Sequence, residues 1–403
     1  MNVTTGPAPY RDMCTDCGIS RTAAPKRCGQ ACQFIHPRYD ALETQVHGRT
    51  RDASKTDELH FGPHRRMLRA ALQPAASGAQ WTGITTRIAE RLLETGAVDA
   101  VLAMAPDPND RWRPMPVVVT QAKDMAQCRG MRMGYAPLLS LLEPAVAQGH
   151  KRLAVIGIPC QVYALRALEK ELGLEKLYVI GTPCSDNTTT ERFHEFLQLI
   201  AAKTGDAPEA ISYLEFRADY HVELRYDDGR KRAIPFLQLP LSQLPPDFFP
   251  MTCRTCVDYT NVLSDITVGY MGGEGQQWLL VRNERGEELL KLLGDEVRTT
   301  EPGSAGKRLG AVKGFISNVE RAAGGLPLRR MPDWLRPIVG WLMPKVGPRG
   351  LEFARARVEM KAAETIIHLR REEPQRMKTM IPIHVWKLME PYGMQPTREE
   401  LPK

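Results

Sequence analysis

Eight of the nine cysteines in this 403-residue chain fall into two sets of four, and this pattern limits what the chain can fold around. The first set has the compact spacing C-x2-C-x10-C-x3-C, and its members are Cys14, Cys17, Cys28 and Cys32. The second set is spread along the chain, and its members are Cys160, Cys184, Cys253 and Cys256. Four thiolates are the ligand set of one iron–sulfur cluster or of one structural zinc ion. Two such sets indicate a protein that moves electrons.

The second set favours clusters over zinc, although the first set alone is compatible with either. Structural zinc usually takes its ligands from two local loops. Here Cys160 and Cys184 each follow a predicted buried strand, and ligands gather at the carboxyl ends of such strands. We therefore expect the two residues to converge in space. The ninth cysteine, Cys128, is expected to be an incidental buried thiol, and a non-enzymatic zinc protein remains the alternative from another class.

Composition and charge are those of an ordinary globular protein, with 43% hydrophobic residues, 25% charged residues and a net charge of +7. The cationic excess is spread out and lacks a basic block with interleaved aromatic residues, which argues against nucleic acid as a partner. No apolar run approaches the roughly 20 residues of a transmembrane span. Without a secretory pattern at the N-terminus, a cytoplasmic location with reduced thiols is expected. The oligomeric state is left open, a homo-oligomer included.

Two glycine-rich loops are candidate cofactor-binding segments. Residues 77–83, SGAQWTG, precede a predicted helix, whose N-terminal N–H groups and dipole suit a phosphate. Residues 268–275, VGYMGGEG, are followed by a predicted strand that ends at Arg282 and Asn283. Together the two segments are expected to hold the ring and the pyrophosphate of a flavin. The alternatives are a plain helix N-terminus and a tight loop with a surface arginine.

Strands and helices alternate through the middle of the chain, which predicts an α/β fold with a mainly parallel sheet. Residues 1–60 have little apolar periodicity, so a metal centre is expected to organise them as a small iron–sulfur segment. Residues 61–290 are predicted to form the flavin and second-cluster core. Within them, residues 213–240 predict an added β-hairpin with an Asp-Asp-Gly turn. Residues 291–403 are predicted to be helical.

The chain resembles the coenzyme F420 hydrogenase/dehydrogenase beta-subunit family, and within it the branch that acts in chlorophyll metabolism. The resemblance extends from residue 14 to about residue 371. It is carried by the runs IGIPCQVYALRAL, GLEKLYVIGTPCSDN, CRTCVDYTN, VGYMGG, VRNERG and GPRGLEFAR. One departure is the run Cys17-Gly18-Ile19-Ser20, where the plant members of the branch read CGLC. This departure favours the bacterial side of the branch, whose members reduce a vinyl group.

The resemblance implies FAD and two [4Fe–4S] clusters. It assigns the first cluster to the compact cysteine set and the second cluster to the dispersed set. The residues that match flavin-binding segments of the family are Ser77, Gly78, Ala79, Gln80, Thr82, Gly269, Tyr270, Gly272, Arg282 and Asn283.

The activity that the resemblance implies is reduction of the C8 vinyl group of divinyl chlorophyllide a to ethyl. Electrons would pass from reduced ferredoxin through the two clusters to FAD. The expected partners are therefore ferredoxin and a chlorophyllide-type tetrapyrrole. Asp258 and Tyr259, beside the second C-x2-C pair, are candidate proton donors, with a structural hydrogen-bonding role as the alternative.

Two other reactions remain open at this point. One is reduction of a different ring substituent, such as the 7-hydroxymethyl group of chlorophyll a. The other is an F420-linked redox subunit that passes electrons to a partner. Residues 334–341, WLRPIVGW, are expected to pack as an ordinary helix, and the alternatives are a substrate cleft or a membrane surface.

Overall fold

The computed structural model describes residues 14–217, 219–269, 275–322 and 331–401. Short 3-10 helices connect many of the regular elements. The helices and strands in chain order are α1 (Arg27–Ala31), α2 (Tyr39–His47), α3 (Thr56–Phe61), β1 (Arg66–Leu72), α4 (Ile84–Glu94), β2 (Ala100–Asp107), β3 (Asp110–Val119), α5 (Leu142–Ala147), β4 (Arg152–Gly157), α6 (Pro159–Leu168), β5 (Lys176–Gly181), α7 (Thr190–Thr204), β6 (Ile211–Phe216), β7 (His221–Tyr226), β8 (Lys231–Pro235), α8 (Met251–Arg254), β9 (Ile266–Gly269), β10 (Gln277–Val281), α9 (Glu284–Lys291), β11 (Val297–Thr300), β12 (Ser304–Ala305), α10 (Arg308–Ala322), α11 (Leu335–Val346), β13 (Arg349–Gly350), α12 (Leu351–Glu372), α13 (Met377–Met380) and α14 (Ile383–Met389).

The main sheet has eight strands in the order β11-β1-β10-β9-β5-β4-β2-β3. The central pairs β9–β5, β5–β4 and β4–β2 are parallel, and the outer pairs are antiparallel, so five of the eight strands run in one direction. Strands β4 and β5 are almost continuously apolar because helices cover both faces of the sheet. Helices α5 and α6 lie on one face, and α4 and α9 lie on the other. The predicted α/β class with a mainly parallel sheet is confirmed.

The described part of the N-terminal segment packs onto the main sheet. Ile19, Ala31 and Leu42 are buried in the same apolar cluster as α6 and strands β4 and β5. Gly18 permits this close approach, since its φ is +108° and a Cβ there would lie 2.5 Å from the backbone nitrogen of Ser140. The segment therefore shares the core of the sheet. Its few apolar residues have no regular period, so the sequence did not indicate this packing.

The predicted added β-hairpin is confirmed as β7 and β8, and a third strand, β6, extends it to a three-stranded antiparallel unit. The predicted Asp-Asp-Gly turn does join β7 to β8, with Gly229 at a φ of +84°. Strand β6 pairs with β7, and its Ile211 and Leu214 are buried against α7. Isolated two-stranded hairpins are marginally stable in water, so the third strand and the helix supply the missing apolar contact.

The C-terminal region is helical, as predicted, and its longest helix packs on the rest of the fold. Ala363 and Ile366 of α12 are buried in one cluster with Phe61 and Trp278. Strand β11 lies beyond the predicted boundary of the α/β core but pairs with β1 at the edge of the main sheet. The division of the chain into three segments stays a prediction. No helix among the described residues is long and apolar enough to cross a membrane.

Candidate functional site

The second cysteine set begins at the carboxyl ends of two adjacent parallel strands. Cys160 lies in the first turn of α6, directly after β4, and Cys184 follows β5. Asn261 ties the two strand ends together, because its Nδ2 donates to the carbonyl oxygens of Gly157 at 2.8 Å and Thr182 at 3.2 Å. The two cysteines converge as the strand pattern predicted.

The second C-x2-C pair completes this group. Cys253 lies in α8, and Cys256 follows it. Burial raises the pKa of all four thiols, to about 12 for Cys256, and the thiols of Cys253 and Cys256 further raise those of Cys160 and Cys184. These mutual effects indicate that the four sulfurs lie near one another. Thiols in such surroundings ionise when a bound metal compensates for their burial.

The first cysteine set lines a cavity between the N-terminal segment and α6. Cys28 lies in α1, and Cys32 is the residue that ends this helix. Cys14 and Cys17 border the same cavity, together with Ala164 of α6. Burial raises the pKa of each of these four thiols. The structure therefore brings the whole first set around one space.

The two sets are adjacent, because Cys160 of the second set also borders the cavity of the first. A side-chain hydrogen bond from Thr15 lowers the pKa of Cys160 against the larger effect of burial. The Nε2 of Gln33 lies 3.5 Å from the Sγ of Cys256, and the Tyr39 hydroxyl fixes this amide by donating to its Oε1 at 2.6 Å. Residues of the N-terminal segment thus hydrogen-bond to sulfurs of the second set. Two metal centres held here would lie side by side.

Gln33 and Tyr135 were not identified from the sequence. The Tyr135 hydroxyl lies 3.3 Å from the Sγ of Cys253, although 118 residues separate them. The only sequence signal for Gln33 is its position directly after Cys32, and Tyr135 carries none. Hydrogen bonds to the sulfurs of a metal centre tune its potential, so both residues belong to the site.

Helix α12 places a buried positive charge beside the second set. The Nζ of Lys361 lies 2.5 Å from Asp186 Oδ1 and 3.1 Å from Glu364 Oε2, and its side chain is 4% exposed. Burial alone would lower the pKa of Lys361, but Asp186 and Glu364 hold it above its ordinary value. The ammonium in turn lowers the pKa of Cys256. The sequence signal that was missed is a row of polar residues at helical spacing on a mostly buried helix, namely Arg357, Lys361, Glu364 and His368.

Cys128 lies apart from both sets, at the end of the 3-10 helix Ala122–Cys128. It packs against the apolar cluster formed by β1, α4 and their neighbours. Burial raises the pKa of its thiol to about 11. This position fits the expectation of an incidental thiol.

The first glycine-rich loop lies beside the start of β10, which follows the second glycine-rich loop. The Thr82 hydroxyl accepts from the backbone nitrogen of Leu72 at 3.0 Å and donates to Gln277 Oε1 at 3.1 Å. The backbone nitrogen of Ile84 donates to the same oxygen at 2.9 Å. The structure therefore places the first loop beside Gln277, two residues after the second segment.

The remaining residues of these loops differ in exposure. Ser77 and Gly78 are exposed, Gln80 is half-buried, and Ala79 is buried. Gly269 is packed so closely that a Cβ there would lie 2.3 Å from Pro183 Cδ. Tyr270 and Gly272 lie outside the described residues.

Arg282 and Asn283 lie at the opposite end of β10 from Gln277, about 17 Å away along the strand. Arg282 is 2% exposed, and its Nη2 donates to the carbonyl oxygen of Thr260 at 2.9 Å. Asn283 caps α9 by accepting from the backbone nitrogen of Gly286 at 3.0 Å. A flavin contact for Arg282 or Asn283 stays a prediction, and these internal contacts do not support it.

Asp258 and Tyr259 are both buried. The carboxylate of Asp258 accepts from the backbone nitrogen of Val262 at 3.1 Å and borders an internal cavity that His384 also lines. Burial raises the pKa of Asp258 to about 6, against the opposing effect of the Val262 hydrogen bond. The carbonyl of Tyr259 accepts from the backbone nitrogen of Cys184 at 3.0 Å. These hydrogen bonds fit the structural alternative, and proton donation stays a prediction.

The described residues contain no group of three or more His, Cys, Asp or Glu side chains placed to hold a metal ion. A zinc ion holds four sulfurs about 2.3 Å from one metal atom. A [4Fe–4S] cluster takes one thiolate at each of four irons, so its sulfurs are spaced further apart. Cysteines that surround a cavity, as the first set does, fit a cluster of this kind.

A mainly parallel sheet with two neighbouring sets of four cysteines defines an α/β protein with two candidate metal sites. Two family models place it more closely. The model of the N-terminal part of the coenzyme F420 hydrogenase/dehydrogenase beta subunit matches residues 67–143, and the model of its C-terminal part matches residues 150–304. The chain belongs to this family and is an oxidoreductase.

Individual relatives extend the similarity over nearly the whole chain. A chloroplastic 7-hydroxymethyl chlorophyll a reductase of Oryza sativa subsp. japonica is 36% identical over 96% of this chain and 84% of its own. An uncharacterized protein of Nostoc sp. is 37% identical over 96% of this chain and 95% of its own. A chain of the F420-reducing [NiFe] hydrogenase complex of Methanosarcina barkeri has the same fold, with a TM-score of 0.54, 18% identity, and coverage of 75% of this chain and 91% of its own.

Proposed function

We propose that this protein reduces a substituent of a chlorophyll-type tetrapyrrole, and that its substrate is divinyl chlorophyllide a, whose C8 vinyl group becomes ethyl. The observation that carries the proposal is the pair of adjacent cysteine sets in a chain that is 36% identical, almost end to end, to a chlorophyll a reductase. The vinyl group is preferred over the 7-hydroxymethyl group because Ile19 and Ser20 depart from the run of the plant enzymes. The identity of the rice relative favours the 7-hydroxymethyl group as the second candidate.

The proposed cofactors are two [4Fe–4S] clusters and FAD. The compact cysteine set would hold one cluster, the dispersed set the other, and residues 77–82 with Gly269 the flavin. When bound, these groups supply single-electron transfer and its conversion into a two-electron reduction. The chain's own residues set the environment: Thr15, Gln33 and Tyr135 direct hydrogen bonds at sulfur, and Lys361 offsets negative charge. A one-electron donor such as reduced ferredoxin is the proposed partner, and the cytoplasm is the proposed location.

The test is anaerobic incubation of the full-length protein with reduced ferredoxin and divinyl chlorophyllide a, followed by chromatography of the pigments. We expect the monovinyl product. A parallel incubation uses 7-hydroxymethyl chlorophyll a, and conversion of that pigment alone would replace the vinyl assignment by the second candidate. If protein that contains iron and flavin converts neither pigment, the chlorophyll assignment is refuted. Reduction of the protein by reduced F420 but not by ferredoxin would favour an F420-linked subunit.

Replacing Gln33 by Leu is expected to lower the reduction potential of the centre held by the second set. The Gln33 amide donates toward Cys256, and such a bond stabilises the more negative, reduced state. A hydrogen bond of about 0.5–1.5 kcal/mol corresponds to roughly 20–65 mV for a one-electron couple. The measurement is a redox titration followed by electron paramagnetic resonance. Gln45→Leu is the matched control, since Gln45 donates to the carbonyl of Arg166 and not to sulfur. Equal potentials in the two variants would contradict the role of Gln33.

A further inference from the structure

Helix α11 presents its apolar side outward. The large side chains of Trp334, Ile338, Trp341, Leu342 and Val346 are 71%, 54%, 63%, 41% and 56% exposed. Their spacing of i, i+4, i+7, i+8 and i+12 places them in one stripe along the helix. The expectation that this segment packs as an ordinary helix is wrong for both tryptophans. We call these five residues the α11 stripe.

The opposite side of α11 is held by the rest of the fold. Arg336 is 5% exposed, and its guanidinium donates to the carbonyl oxygens of Met331 at 3.2 Å and Leu239 at 3.4 Å. Gly340 is buried, and a Cβ there would lie 3.4 Å from Pro235 Cβ, in van der Waals contact. The outward direction of the stripe is therefore set by fixed contacts on its other side.

The charged residues within α11 and just after it are all positive. Residues 334–351 contain no Asp or Glu, and the exposed Lys345 and Arg349 flank the stripe at its C-terminal end. The ammonium of Lys345 lies 3.2 Å from the centre of the Trp341 ring. Asp333, which precedes the stripe, is paired with Arg336 at 3.4 Å. Tryptophan and lysine side chains with an apolar body and a polar end are typical of residues at a membrane–water interface.

The size of the stripe argues against a protein partner that binds it alone. A helix of 12 residues is about 18 Å long, so a face about 10 Å wide offers about 180 Å². A stable protein–protein interface takes about 800 Å² from each partner. An amphipathic helix on a bilayer needs only an apolar face and flanking cations for anionic headgroups. The stripe meets this smaller requirement.

We propose that α11 binds the surface of a membrane that contains anionic lipid. The helix lies in the plane of the interface, with the two tryptophans at the depth of the headgroups. Lys345 and Arg349 contact lipid phosphates. This attachment goes beyond the proposed reduction and does not rest on it, because it is measured without turnover.

The test is cosedimentation of the full-length protein with vesicles of phosphatidylcholine and phosphatidylglycerol, compared with vesicles of phosphatidylcholine alone. We expect binding to the mixed vesicles and weaker binding to the neutral ones. The double variant Trp334→Ser/Trp341→Ser should bind roughly tenfold less or weaker still, and Lys345→Glu should lose mainly the preference for anionic lipid. Ile383→Ser is the matched control, because Ile383 is an equally exposed apolar residue, 61% exposed, on α14.

Absence of wild-type binding would overturn the proposal, as would equal binding by the wild type and the double variant. Sedimentation velocity without lipid tests the alternative that the stripe binds a second copy of the chain. Self-association that Trp341→Ser abolishes, together with no vesicle binding, would assign the stripe to that interface instead. Lys345→Glu changes one exposed side chain, so it keeps the lipid preference testable if the double variant fails to fold.

Discussion

Replacing Cys17 by Ser is expected to reduce the iron content of the protein from about eight to about four atoms per chain, the content of one four-iron cluster. Cys17 borders the cavity of the first set, and a serine hydroxyl is a poor replacement for a thiolate ligand. The second set keeps all four of its cysteines in this variant. The measurement is iron analysis and visible absorption of protein purified without oxygen.

Two further variants test whether the iron lost in Cys17→Ser belongs to the first set alone. Cys128→Ser is the matched control and should retain all of the iron, because Cys128 packs in the apolar cluster of β1 and α4. Cys184→Ser should lose the iron held by the second set, since Cys184 belongs to that set. Full iron content in Cys17→Ser would contradict the assignment of the first set, and colourless wild-type protein with two zinc ions would contradict both clusters.

Replacing Asp265 by Asn is expected to lower the free energy of unfolding by about 3–5 kcal/mol. The carboxylate of Asp265 lies 2.8 Å from Arg166 Nη2, and both side chains are fully buried. It also accepts from the backbone nitrogen of Val179 at 2.7 Å and from Arg285 Nε at 2.9 Å. Removing the charge leaves Arg166 buried with less compensation, in the helix that carries Cys160. The measurement is equilibrium unfolding in urea.

The same carboxylate makes this stabilisation dependent on pH. Burial alone would raise the pKa of Asp265, but Arg166 and Arg285 hold it below its ordinary value. A group whose pKa is lower in the folded state stabilises the protein above its unfolded-state pKa, here about 4, and loses that contribution as the pH falls through its folded-state pKa. The difference between wild type and Asp265→Asn should therefore shrink in acid.

The matched control for the buried pair is Asp227→Asn. Asp227 pairs with Arg111 at 2.8 Å, but the two side chains are 53% and 47% exposed. Exposed pairs of this kind contribute about 0–1 kcal/mol. Equal destabilisation by the two substitutions would show that burial of the Arg166–Asp265 pair does not account for its effect.

Local pattern in the sequence was enough to predict the sheet and the meeting of the dispersed cysteines. The runs RLAVIG and KLYVIG are apolar after their first residue, which is typical of strands buried on both faces, and each is followed closely by a cysteine. Because neighbouring parallel strands end at one edge, Cys160 and Cys184 had to approach one another. The sequence also contains long runs that resemble one family, and the family models confirm that the chain belongs to it.

Contacts between distant segments were decided only by the tertiary structure. Gln33 reaches Cys256 across 223 positions, and Tyr135 reaches Cys253 across 118. Lys361 lies beside the second set because of the direction of α12, which no local sequence pattern indicates. The α11 stripe has the apolar period of a buried helix but faces outward, because its period says which residues share a face and not what covers that face. The sequence by itself determined the central parallel strands and the grouping of the cysteines into two sets, and the tertiary structure decided which polar groups surround those sets, since such contacts depend on how the elements pack.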